Sequence, residues 1–219
     1  MDITTFIESL QSRKNLSEDE VKTLIREYDI PTTVFKTIAP GGDISAISVE
    51  YPAVMKVCSP NILHKTDVNG VILNIGDGED LRDAYNSLRE RFPDDKVLVE
   101  NMEKDGLELI MGILNDDSFG PSIMVGLGGV FTEVLEDVSF RVIPITRYDA
   151  EKMIQELKSS KVFDGYRGIA VDKTLAIDIL LKLSALGQDL GEYLSQMDLN
   201  PVLLREKDAV VLDAKMILR

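Results

Sequence analysis

The sequence has no tryptophan, one cysteine and one histidine in 219 residues. A single thiol, Cys58, excludes an internal disulfide and a cysteine-based zinc cluster, and it fits a reducing cytoplasm. Cations are scarce: 24 Lys and Arg against 38 Asp and Glu give a formal net charge of −14. Such a chain offers no basic footprint to nucleic acid or to an anionic membrane. A phosphate-bearing ligand would have to be held by a few local cations and by backbone N–H groups. No apolar run approaches the ~20 residues that span a bilayer. The stretch "MDITTFIESLQSRKNLSEDE" lacks the apolar core expected of a secretory signal. Also missing are a Walker A pattern, a Gly-x-Gly-x-x-Gly fingerprint, an internal repeat and a low-complexity segment.

What is present is a globular composition, 44% hydrophobic and 28% charged, which can bury a sizeable core. Element types alternate along the chain. Residues 17–29 predict a helix, with Ser17 and Glu20 as a capping-box pair and Val21, Leu24, Ile25 and Tyr28 on one face. "AVMKVC" (53–58) and "GVILNI" (70–75) read as strands, 80–92 as a helix ended by Pro93, and "KVLVE" (96–100) as a strand. "ELIMGIL", "SIMVGL", "VFTEVL" and "VSFRVIP" follow as antiparallel strands. Residues 149–158 and 174–195 predict helices, and "DLNPVLL" with "AVVLDAKMIL" predicts a closing hairpin-like pair. Residues 39–45 form a loop. The result is an α+β chain whose strands fall into two groups, before and after about residue 100. One lobe is expected over about 20–100, and a second over about 1–19 plus 101–219. A cleft between lobes is a common place for a small ligand.

Three stretches carry candidate chemistry. In "VMKVCSPNILHKTDVNGV", Val54, Lys56 and Cys58 share one strand face, and Lys56 is either a solvated strand lysine or a phosphate contact. Lys65 could reach a phosphate from the following polar turn, which also holds His64, the sole imidazole. In "FGPSIMVGLGGVFTEVLEDVSFR", Gly126, Gly128 and Gly129 suit a hairpin turn or an anion-binding backbone, and the turn is the simpler reading. Glu133, Glu136 and Asp137 follow, and Arg141 is a candidate for a phosphate or carboxylate. In "DLNPVLLREKDAVVLDAKMIL", Asp198 and Asn200 point the same way on a strand, and Asp213 sits in an apolar strand where an unpaired carboxylate is costly. Oxygen donors on neighbouring strands suit Mg²⁺, which completes its shell with phosphates and water.

Together, "IPTTVFKTIA", "YPAVMKVCSPNILHKTDVNGV", "FGPSIMVGLGGVFTEVLEDVSFR", "VFDGYRG" and "DLNPVLL" resemble the ATP-grasp subunit of ADP-forming acyl-CoA synthetases of the acetate–CoA ligase type. The β subunit of succinyl-CoA synthetase is more distantly similar. The resemblance spans nearly the whole chain in the family's order. It implies an ATP-grasp fold with two lobes clasping ATP or ADP. The implied reaction is acyl-CoA + ADP + phosphate ⇌ carboxylate + CoA + ATP, through phosphohistidine. The CoA-binding chemistry is then expected on a separate α subunit, in an α2β2 assembly in the cytoplasm.

By the same resemblance His64 is the phosphorylated histidine, and Lys56 contacts nucleotide phosphates. Glu100 lies at the hinge beside adenine, with backbone around Asn101, Met102 and Glu103 pairing the base, and Glu108 lies near the ribose. Asn200 and Asp213 hold Mg²⁺, and Asp198 supports a phosphohistidine. Asn69 replaces the first glycine of the family's usual pair, and the stretch from 39 to 51 is shortened. Two other functions fit parts of the pattern. A stand-alone ATP-grasp carboxylate ligase would need no histidine, and a regulatory nucleotide-binding module would show no phosphorylation at all.

Overall fold

The computed structural model describes residues 3–62, 64–129, 137–165 and 170–219. The predicted strand "VFTEVL", with Glu133 and Glu136, and the Tyr-Arg-Gly part of "VFDGYRG" lie outside the described residues. Among the described residues no helix is long and apolar enough to cross a membrane. The chain divides into two compact units, one of residues 17–20 and 33–104, the other of 1–16, 21–32 and 105–219.

The smaller unit is a four-stranded antiparallel sheet backed by a helix. Its strands are β1 (Phe35–Ile38), β2 (Ala53–Cys58), β3 (Val71–Ile75) and β4 (Lys96–Asn101), in the order β1-β4-β2-β3. β2 is central and every one of its residues is buried, so "AVMKVC" is apolar with a single lysine. Helix α3 (Gly78–Arg91) is placed by Asp77, whose carboxylate accepts from the N–H groups of Glu79 and Asp80. It presents Leu81, Ala84, Tyr85 and Leu88 to Met55, Val97 and Val99 of the sheet. The first turn of α2 (Glu18–Arg26) is counted with this unit, and Glu20 accepts from the Ser17 N–H at 2.9 Å, the half of the capping box supplied by the carboxylate.

The larger unit contains α1 (Ile3–Ser9), the rest of α2, and a six-stranded antiparallel sheet. Its strands are β5 (Leu107–Asp116), β6 (Gly120–Leu127), β7 (Val138–Val142), β8 (Leu194–Leu204), β9 (Ala209–Val211) and β10 (Ala214–Leu218), ordered β10-β8-β5-β6-β7 with β9 on β8. Helices α4 (Arg147–Glu156) and α5 (Lys173–Leu190) cover one face. Period-2 alternation divides the strands accordingly. Leu109, Met111, Ile113, Ile123, Val125, Met197, Leu199 and Met216 enter the core beneath these helices. Glu108, Ile110, Gly112, Met124, Asp198 and Asn200 alternate with them and so occupy the opposite, open face.

Two predicted boundaries shift. The helix expected over 174–195 ends at Leu190, because Gly191 adopts φ +51 and the chain turns before β8 starts at Leu194. "AVVLDAKMIL" is two strands rather than one. Pro201 has no N–H to offer, and the ladder with β8 is interrupted beside it. Asp213 therefore lies half-buried in the gap between β9 and β10, not inside a strand.

Candidate functional site

In the smaller unit the candidate residues collect around β2. Lys56 projects from this buried strand, and its ammonium lies 2.6 Å from Glu100 Oε1 and 3.0 Å from Glu18 Oε1. Glu100, at the far end of β4, also accepts a hydrogen bond from the Thr33 hydroxyl. Lys65 turns inward and meets the other oxygen of Glu18 at 3.1 Å. All four charged side chains are at most 9% exposed, so these ion pairs are held in low dielectric. The Lys65 side chain thus points into the unit rather than out from the turn.

The polar turn after β2 is fixed at both ends. Val57 N–H donates to Gly70 O at 2.8 Å, Gly70 N–H to Lys65 O at 2.6 Å, and Asn69 N–H to Thr66 O at 3.0 Å. Only glycine fits at 70, because a Cβ there would fall 2.5 Å from a methyl of Val57. Asn69 takes φ +53, a left-handed conformation that asparagine tolerates. His64 is exposed on this turn, next to the buried Lys65. Cys58, at the end of β2, is inert by contrast. Burial and the neighbouring Asp19 carboxylate push its thiol up to about 12.

Past β4, Met102 N–H donates to Pro52 O at 2.8 Å, and the Asn101 amide contacts Glu50 at 3.4 Å. Glu103 is half-buried in the segment that follows.

In the larger unit, Asp198 and Asn200 share the open face of β8. Asp198 stands opposite Lys215 in register. Asn200 N–H donates to Asp213 O at 3.1 Å, which makes the two residues neighbours along the backbone of β8 and the β9–β10 gap. Glu108 lies on the same face of β5, and its carbonyl accepts from Gly128 N–H at 2.6 Å. A Cβ on Gly128 would fall 2.8 Å from that of Glu108, so this glycine serves a close backbone approach. Gly126 belongs to β6 itself, not to a turn.

Arg141 is the residue that the structure separates from the rest. On β7 the pattern is inverted: Phe140 and Val142 are exposed, while Ser139 and Arg141 turn towards α4. There the guanidinium pairs with Glu156 at 2.6 Å, on the opposite face from Asp198 and Asn200.

The chain matches the ATP-grasp domain family over residues 9–218. The chain belongs to the ATP-grasp family. Within it, 95% of the chain aligns at 41% identity with 94% of the acetate–CoA ligase [ADP-forming] II subunit beta of Pyrococcus furiosus. The acetate–CoA ligase [ADP-forming] II of Archaeoglobus fulgidus is 40% identical over 92% of the chain, and there the chain spans only 30% of the relative's length. A solved dinucleotide-forming acetyl-coenzyme A synthetase from Ca. Korarchaeum cryptofilum superposes with a TM-score of 0.84 at 39% identity, covering 98% of each chain. It holds coenzyme A and Mg-AMPPCP, with its phosphohistidine segment pointing towards the nucleotide binding site.

In this ATP-grasp chain one residue escaped the sequence reading. Glu18 is one of three acidic residues in the first turn of α2, a usual place for carboxylates that complement the helix dipole. Nothing in that pattern shows that it is buried, or that two lysines from β2 and the turn converge on it.

Proposed function

We propose that this chain is the nucleotide-binding β subunit of an ADP-forming acyl-CoA synthetase of the acetyl-CoA type. With a separate CoA-binding α subunit, in an α2β2 assembly, it catalyses acyl-CoA + ADP + phosphate ⇌ carboxylate + CoA + ATP. The observation that carries this reading is His64. The sole imidazole is exposed on a turn whose neighbours are tied down by Lys65, Asn69 and Gly70. The phosphohistidine segment of the Korarchaeum relative supports a relay of the same kind.

In this reading a ring nitrogen of His64 attacks the transferable phosphorus. A P–N bond forms as the bond to the departing oxygen breaks, and the imidazole proton passes to solvent. Lys56 neutralises phosphate charge as it moves. Glu100, Asn101, Met102 and Glu103 line the base, and Glu108 approaches the ribose. Asp198 orients a phosphohistidine. The donors Asn200 and Asp213 fit Mg²⁺, since both offer hard oxygens from adjacent backbone positions. Among the described residues no group of three or more His, Cys, Asp or Glu is gathered for a metal, so the remaining ligands would be phosphate oxygens and water. Bound there, Mg²⁺ would supply charge neutralisation. Arg141, expected as a further phosphate contact, pairs with Glu156 on the other face of the sheet. The lone buried thiol suits a cytoplasmic enzyme.

Reconstitution tests the assignment. The purified chain should bind Mg-ADP yet form no ATP from acetyl-CoA, ADP and phosphate until a CoA-binding α subunit is added. Turnover by the chain alone would contradict it.

A further inference from the structure

The Glu18 carboxylate is the most enclosed charge of the cluster, 1% exposed, and both its oxygens are engaged by lysines. Those lysines come from different places. Lys56 lies on β2, whereas Lys65 lies one residue past His64. A lysine aimed outward from a polar turn would need no counter-ion. Lys65 is instead 6% exposed, and the desolvation of its ammonium has to be compensated inside the unit.

We infer that Glu18 is a positioning residue for the phosphoryl acceptor. Through Lys65 it pins the turn that presents His64, and through Lys56 it holds the phosphate-contacting ammonium in place before nucleotide arrives. Lys65 is the turn's anchor, not a nucleotide ligand. The turn's own hydrogen bonds, Gly70 N–H to Lys65 O and Asn69 N–H to Thr66 O, close around that anchor, so the backbone on the far side of His64 is set by where the Lys65 ammonium is held. The two links of Glu18 have opposite consequences for nucleotide. The pin on Lys65 favours phosphoryl transfer, because a nucleophile displaced by about 1 Å loses about 10²-fold in rate. The link to Lys56 competes with phosphate for the same ammonium, so Glu18 weakens nucleotide binding. A residue with a purely structural role would not separate these two effects.

This inference rests on His64 being the phosphoryl acceptor, and the test separates the two. The complete complex with its α subunit is incubated with γ-labelled ATP and Mg²⁺ at saturation. Acid-labile label on this chain is followed over time, and AMPPCP affinity is measured by calorimetry. Glu18→Gln should bind AMPPCP as tightly as the unmodified chain or up to about tenfold tighter, while its labelling rate falls at least about tenfold. Lys65→Met, which keeps the bulk and removes the charge, should leave affinity within about twofold and slow labelling to a similar degree. Glu18→Asp keeps the charge and folds more readily, but it is one methylene short of both lysines, so it should slow labelling less than the amide. Amide hydrogen exchange adds a readout independent of activity: in Glu18→Gln, Gly70 and Asn69 should exchange faster while Val99 in the sheet does not. Unchanged labelling in both Glu18 variants, or a loss of affinity in Lys65→Met as large as its loss in rate, overturns the inference. No label on the unmodified chain would overturn the acceptor reading itself.

Discussion

At the scale of single residues, period-2 alternation made half of the site legible. Asp198 and Asn200 lie two apart and do share the open face of β8. The placement of Arg141 was not legible, because β7 inverts the usual pattern and leaves Phe140 and Val142 exposed while polar Ser139 and Arg141 face α4. The inward direction of Lys65 was not legible for a different reason. Whether a lysine in a polar turn points out or in depends on a counter-ion 47 positions away in sequence, and Glu18 resembles any helix-start carboxylate. The metal assignment is tested at this scale. Asp213→Asn keeps the shape and the Asn200 N–H to Asp213 O bond but removes a charge. It should leave thermal stability within about 0.5 kcal/mol and weaken Mg-ADP binding about tenfold or more, with little effect on metal-free ADP. Calorimetric titration with and without Mg²⁺ checks this, and an unaltered Mg²⁺ dependence would remove Asp213 from the site.

At the scale of elements, the start of α2 was readable from Ser17 and Glu20, and the starts of α4 and α5, expected at 149 and 174, lie at Arg147 and Lys173. Thr146 and Asp149 form a reciprocal capping box at α4, and Asp172 caps α5. Strand ends were less readable. The break at Asp213 follows from Pro201 on the partner strand, which a reading of "AVVLDAKMIL" alone does not contain. Two carboxylates tie elements together and contribute to the acid limit of the fold. Burial opposes ionisation of Asp19, but the Lys96 ammonium and the Ser17 hydroxyl hold its carboxyl below the usual range. Asp137 is likewise held low against burial, by the Ser159 hydroxyl and by the N–H groups of Lys158 and Ser159 at 2.7 and 2.9 Å. For both, the folded pKa lies below the unfolded value of about 3.9. Their stabilisation is therefore complete above that value and is lost as pH falls through the folded pKa values. Urea midpoints should be flat from pH 8 to about pH 5 and fall below that. In Asp137→Asn the fall should be shallower, from a lower plateau. A midpoint that already drops between pH 7 and 6 would contradict this assignment.

At the scale of the whole molecule, the two strand groups seen in the sequence correspond to two separate sheets, and the change from one to the other falls after β4. The chain accounts for nearly all of the Pyrococcus β subunit and under a third of the Archaeoglobus single-chain ligase. His64 is the only imidazole of the chain. That uniqueness makes the central claim directly measurable. The complete complex is incubated with γ-labelled ATP and Mg²⁺, the subunits are separated, and acid-labile, base-stable label is counted on this chain. The unmodified chain should carry it. His64→Ala should carry none, should still bind Mg-ADP, and should lose ATP synthesis by roughly 10³-fold or more. Near-normal turnover in His64→Ala with a competent α subunit would contradict the account.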